Sequence, residues 1–132
     1  MKPAVLADTG PLNAAADPDD AHHERARREL RRLANEKREV VVAYPTLLEA
    51  YTLVLFRLGK STASRWLSDM GSAVLVNPTP EDYRQAVARI HALADQPVTL
   101  FDATVATLAS RLGVEVWTYD HHFDVMRVGV WR

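Results

Sequence analysis

Short apolar runs alternate with helical patterns along this chain. Pro3 to Ala7 suits a buried strand, and Asp8-Thr9-Gly10 ends it. The polar turn Asp17-Pro18-Asp19-Asp20 opens a long charged helix to about Lys37. Val40 to Ala43 is β-branched and reads as a second strand. Pro45 then sits in the first turn of a helix that runs to about Leu58, with Gly59 as its stop. Ser61 is placed to cap a further helix through Met70, and Ala73 to Val76 is a third strand. Thr79-Pro80-Glu81-Asp82 signals a helix start: a hydroxyl cap, a proline in the first turn, and acids at the positive helix end. Tyr83, Val87, Ile90 and Leu93 repeat at helical spacing behind it. Asp102 opens another helix, with Val105, Leu108, Ala109 and Leu112 on one face and Gly113 closing it. Val114 to Thr118 reads as a fourth strand and Val128 to Trp131 as a fifth.

Continuously apolar strands alternating with helices predict a parallel sheet covered on both faces, a three-layer α/β/α domain. The 132 residues fit a single domain over 1–132. With 48% hydrophobic and 25% charged residues, the composition is that of an ordinary globular protein. Cysteine is absent, which excludes disulfides, a thiolate nucleophile and Cys-based metal sites. No apolar run approaches the ~18 residues of a membrane span. The stretch Ala4 to Ala7 is too short for a secretory signal, so a cytoplasmic location without membrane contact is expected. A net charge of −1 does not advertise nucleic acid. Arg25, Arg27, Arg28, Arg31, Arg32, Lys37 and Arg38 nevertheless crowd the window Glu24–Glu39. That window reads either as a solvated helix face with i,i+4 pairs such as Glu24–Arg28, or as a phosphate-tracking surface.

Ligands of parallel α/β sheets sit outside the carboxyl ends of the strands, which directs attention to the acids there. Asp8 follows the first strand, Asp120 follows the fourth, and Glu49 lies one turn into the helix that leaves the second. Asp102 can face the same edge from its helix start. Singly, Asp8 and Asp120 read as turn residues and Asp102 as an N-cap. Glu49 differs, because in Pro45 to Leu58 it and Arg57 are the only charges, and a helix apolar nearly all round is expected to be buried. A carboxylate there must line a cavity, pair with a cation or coordinate a metal. Two carboxylates about 5 Å apart repel by about 3 kcal/mol at an effective dielectric of roughly 20. If the four converge, a hard cation such as Mg²⁺ or Mn²⁺ is needed among them.

In these segments the sequence resembles PIN-domain ribonucleases, and more closely the VapC-type toxins of bacterial toxin–antitoxin pairs. The likeness rests on Asp8-Thr9 after the first strand, Glu49 after the second, Phe101-Asp102-Ala103, and Thr118-Tyr119-Asp120-His121-His122-Phe123. It implies a five-stranded sheet in the order 3-2-1-4-5 and a metal-dependent endoribonuclease whose acids are Asp8, Glu49, Asp102 and Asp120. Asp8 and Asp102 are expected to ligate the metal directly, Asp120 directly or through water, and Glu49 to ligate it or orient the attacking water. Thr118 is a supporting hydroxyl, while Thr9, His121 and Asp124 are further candidates for supporting or substrate contacts. The expected products are a 5′-phosphate and a 3′-hydroxyl. An antitoxin of the VapB type and a homodimer are the implied partners beside RNA. The alternatives are a non-catalytic PIN-like module that binds RNA or protein, and an RNA-processing nuclease outside a toxin system.

Other chemistries lack their residues. His22-His23 and His121-His122 are neighbours, which on a helix point ~100° apart and so chelate poorly, and His91 reads as structural. There is no G-x-S-x-G, and the five glycines form neither a P-loop nor a dinucleotide fingerprint. A phosphoacceptor receiver would want an acid after the third strand, where Asn77 stands, and a lysine near the end. Leu53 and Phe56 are expected in the core, whereas Trp66 and Met70 are candidates for an exposed interface. Tyr44, Tyr51 and Tyr119 are candidates for stacking on RNA bases.

Overall fold

A computed structural model describes residues 3–132. Four strands, β1 (Ala4–Ala7), β2 (Glu39–Ala43), β3 (Val74–Val76) and β4 (Glu115–Trp117), form one parallel sheet in the order β3-β2-β1-β4. Six helices connect them, α1 (Thr9–Ala16), α2 (His23–Asn35), α3 (Tyr44–Leu58), α4 (Lys60–Met70), α5 (Pro80–Ala92) and α6 (Leu100–Leu112), and α7 (His122–Val125) follows β4.

Side chains alternate across the strands and so supply two cores. Leu6, Val41, Ala43 and Val116 pack under Ala86, Ala103, Ala106, Leu108 and Phe123 of α5, α6 and α7. Val5, Ala7, Val42 and Trp117 pack on the other face under Leu12, Leu33 and Ala50, with Trp66 and Met70 partly covered beside them. That is the α/β/α arrangement the apolar runs predict.

The expected fifth strand is reduced to a single parallel bridge, Val116 to Val130. Val116 N–H donates to Gly129 C=O and Trp131 N–H to Val116 C=O, both at 2.9 Å. β4 is only three residues long, and the pairing with it stops at that one bridge. Two helices escape the apolar pattern. In α1, Gly10 and Pro11 look like breakers, yet Asp8 caps the helix and a proline in its first turn has no N–H to satisfy. In α7 only four residues are helical.

Several boundaries move. α6 begins at Leu100 with Thr99 as its cap, which puts Asp102 in the first turn instead of at the cap. Gly59, at φ 88°, closes α3 and opens α4 directly, so Ser61 caps nothing. Thr79 and Asp82 do form a reciprocal capping box at α5, and Arg111 of α6 clamps Asp82 with two 2.8 Å bonds. Tyr83 and Val87 lie on the outer face of α5, while Asp82 and Ala86 are its buried positions. α3 is the larger correction: Leu48 is 66% and Phe56 80% exposed, so the helix is apolar without being enclosed.

Candidate active site

The chain passes from β1 to β2 and β3 on one side and reaches β4 on the other, so the strand order reverses between β1 and β4. A cleft of about 700 Å³ opens at the carboxyl ends there, lined by Asp8, Glu49, Asp102 and Asp120 among others. The four acids named from the sequence therefore share one cavity. Thr9, Asn13, Arg57, Tyr119 and His121 also line it.

Asp8 is buried at the end of β1 and is held on both oxygens. Its Oδ1 accepts the Thr9 N–H at 2.9 Å, and its Oδ2 accepts the Thr118 hydroxyl at 2.8 Å. Burial raises its pKa despite those bonds, and the charges of Asp120 and Glu49 push the same way. Asp102 is buried too, and its pKa rises to about 6 through burial, the charges of Asp8 and Asp120, and a hydrogen bond with Asp120. Glu49 is exposed on the α3 wall, where desolvation and the Asp102 charge raise it. Asp120 is half-buried, its N–H donating to Thr118 Oγ1 at 3.0 Å. One threonine hydroxyl thus joins two of the acids.

Asp124 does not line this cleft. Its carboxylate is exposed and bonded to Arg132 at 2.8 Å, in a small adjoining pocket that it shares with Asp120 and His121. The paired histidines behave differently from the helical-spacing expectation. Both lie at the entry to α7 and fold back on Asp120, His122 Nδ1 at 3.1 Å and His121 Nδ1 at 3.8 Å from Oδ1. Asp120, His121 and His122 each offer a ligand atom within 4.8 Å of the others. Tyr119 is not free to stack on a base, because Arg25 covers its ring and its hydroxyl is bonded to Glu29.

Sequence reasoning passes over Arg57, Asn13 and Glu29. Arg57 is marked only by being the second charge in an apolar helix, and Asn13 lies in the helix the pattern hides. Glu29 carries no signal, since it is one charge among many in α2.

The donors fit a hard divalent cation. All four acids offer oxygen, three of them are pushed toward the protonated form by one another and by burial, and Thr9 Oγ1 and Asn13 Oδ1 stand buried without a partner. A positive charge in the cleft would reverse each of those shifts.

A model of the PIN domain family matches residues 5–128. No curated protein matches the chain. Among solved structures it is similar to VapC20 of Mycobacterium tuberculosis, described as a sarcin–ricin loop cleaving toxin, at 22% identity and TM-score 0.84, covering 98% of this chain and 99% of that one. VapBC2 of Rickettsia felis, bound to a DNA fragment from its promoter, is similar at 14% identity and TM-score 0.76 over 98% and 97% of the chains. A toxin–antitoxin complex from Klebsiella pneumoniae is similar at 15% identity and TM-score 0.71 over 89% and 88%.

Proposed function

The chain belongs to the PIN domain family, and on that premise we propose that it is a metal-dependent endoribonuclease, the toxin of a VapBC-type toxin–antitoxin pair. The observation that carries this reading is the meeting of Asp8, Glu49, Asp102 and Asp120 in one cleft, where burial and neighbouring carboxylates raise the pKa of Asp8, Glu49 and Asp102.

Bound there, Mg²⁺ or Mn²⁺ would supply the charge that steadies a phosphodiester transition state and would lower the pKa of the attacking water. Asp8, Asp102 and Asp120 are the residues that would hold it, and Thr118 fixes the orientation of Asp8 for that task. Glu49, raised and solvent-facing, is placed to orient the attacking water and receive its proton. Arg57 lines the same cleft and makes no ion pair among the described residues, which suits it to an RNA phosphate. His121 stands exposed at the rim beside Asp120, which suits it to a substrate contact. Attack of water on phosphorus, with its proton passing to Glu49, breaks the bond to O3′, which takes a proton from solvent water to become the 3′-hydroxyl and leaves a 5′-phosphate on the other fragment.

Two surfaces support the partners. A groove of about 550 Å³ between α1, α2 and α4 is lined by Leu30, Trp66 and Met70, with Leu12 at its floor and Arg27 and Arg38 among its polar residues, and suits an apolar antitoxin segment. Tyr44, Leu48 and Phe56 recur along the outer face of α3 and suit a homodimer contact.

The test is a pool of structured RNAs incubated with the chain in Mg²⁺, in Mn²⁺ and in EDTA, with the cut ends identified by mass spectrometry. Cation-dependent cutting that leaves 5′-phosphates is expected. Cutting in EDTA, or 2′,3′-cyclic phosphate ends, contradicts the mechanism. A folded chain that cuts nothing moves the reading to a PIN-like binding module.

A further inference from the structure

We propose that Glu29, outside the acid cleft, is a positioning residue that sets the place of Asp120 and Thr118. The inference rests on the metal-site reading above and names a further part of that site. α2 turns Ala26 and Leu33 into the core, and Glu29 lies on the same face, three residues after one and four before the other. Its side chain is only 13% exposed.

Two donors meet on one of its oxygens. Tyr119 Oη donates to Glu29 Oε1 at 2.5 Å, and Trp117 Nε1 donates to the same oxygen at 3.1 Å. Arg25 stands 3.6 Å from Oε2 and lays its guanidinium 4.2 Å over the Tyr119 ring. His22 closes on that ring at 5.0 Å. Tyr119 is thus gripped by its hydroxyl and by its ring, all from α2 and the residue before it.

The segment Trp117 to Asp120 carries this grip to the cleft. Trp117 and Tyr119 point toward α2, so Thr118 between them points the opposite way, as alternate residues do along an extended chain. There its hydroxyl donates to Asp8 and accepts the Asp120 N–H. The sheet ends at Trp117, so the ladder does not hold the residues that follow. Fixing the two aromatic residues on one side fixes the hydroxyl and the acid on the other.

A carboxylate is a costly way to fill a core-facing slot, because it must be stripped of water, and an apolar side chain of similar size would fill it without that cost. What a carboxylate adds is direction: two acceptor positions that hold an indole N–H and a phenol O–H at fixed angles.

The experiment compares Glu29→Ala, Glu29→Gln and Tyr119→Phe with the unmodified chain. Mn²⁺ affinity is read from the free-ion signal in electron paramagnetic resonance, kcat and KM come from RNA cleavage, and thermal unfolding reports folding. Glu29→Ala is expected to weaken Mn²⁺ binding by about 10–100-fold and to lower kcat with KM unchanged. Glu29→Gln keeps a carbonyl oxygen for both donors and is expected to restore most of the affinity. Tyr119→Phe keeps the ring under Arg25 and is expected to lose less than Glu29→Ala, in the same direction. A folded Glu29→Ala chain with unaltered Mn²⁺ affinity and kcat overturns the inference. So does a Glu29→Gln chain as impaired as Glu29→Ala, since charge and not direction would then be at work. If Glu29→Ala does not fold, unaltered affinity in Tyr119→Phe overturns it. An unmodified chain that binds Mn²⁺ but cuts no RNA sinks the ribonuclease reading alone, and the affinity comparison still decides this one. An unmodified chain that binds no Mn²⁺ sinks both.

Discussion

Asp102 carries the largest conflict of any single residue in the cleft. A rise from 3.8 to about 6 corresponds to roughly 3 kcal/mol held against its ionised form. The folded chain therefore keeps this proton more tightly than the unfolded chain. That contribution is fully present below about pH 4 and is lost as the pH rises through about 6. Without divalent cations, Asp102→Asn is expected to be more stable than the unmodified chain at pH 7 by about 1–3 kcal/mol, the gap closing toward pH 4. Urea unfolding at both pH values measures it, and a gap that ignores pH contradicts the cluster. Thr118→Val removes the donor to Asp8 and the acceptor of the Asp120 N–H, and the same measurement should show a loss of about 1–3 kcal/mol. The acids themselves are legible in the sequence, because Asp8, Glu49 and Asp120 come soon after strands that their apolar runs reveal and Asp102 stands at a recognisable helix start. Glu29 is not, because nothing in a run of alternating charges says which of them faces inward.

At the scale of elements, Gly59 is a joint with no room for an ordinary residue's backbone preference. At φ 88° it ends α3 and starts α4, and a Cβ there would meet no atom within 4 Å. Gly59→Ala should therefore cost about 1 kcal/mol through the backbone alone, read as a lowered unfolding midpoint with cleavage retained. The sequence marks this stop, and it marks the Thr79–Asp82 capping box, because caps and glycines act locally. It hides α1, where Gly10 and Pro11 mimic a loop and only the cap at Asp8 says otherwise. The fifth strand fails for a reason that is not local. Val128 to Trp131 has the composition of a strand, but its neighbour β4 ends after three residues and leaves one position to pair.

At the scale of the molecule, apolar composition misleads about α3. A helix rich in leucine reads as buried, but Leu48 and Phe56 face outward, on the surface proposed above for a second copy of the chain. Light scattering at micromolar concentration is expected to give a dimer, and Phe56→Glu a monomer. An unmodified chain that is monomeric removes this surface from the account. The parallel sheet, by contrast, could be read directly, since two-sided burial leaves its strands apolar except at Glu39 and Glu115, where β2 and β4 begin. Its strand reversal then places the cleft, and the cleft gathers the acids.

The most direct test of that gathering is the rate of RNA cleavage by Asp8→Asn under saturating Mn²⁺, measured in single turnover beside its unfolding midpoint. Asp8 touches Thr118, borders Asp120 and Glu49 electrostatically, and sits at the end of the central strand. The expected result is a folded variant whose rate has fallen on the order of 100-fold or more. A folded variant that cuts at the unmodified rate would contradict it, because the four carboxylates would then share a cleft without sharing a task.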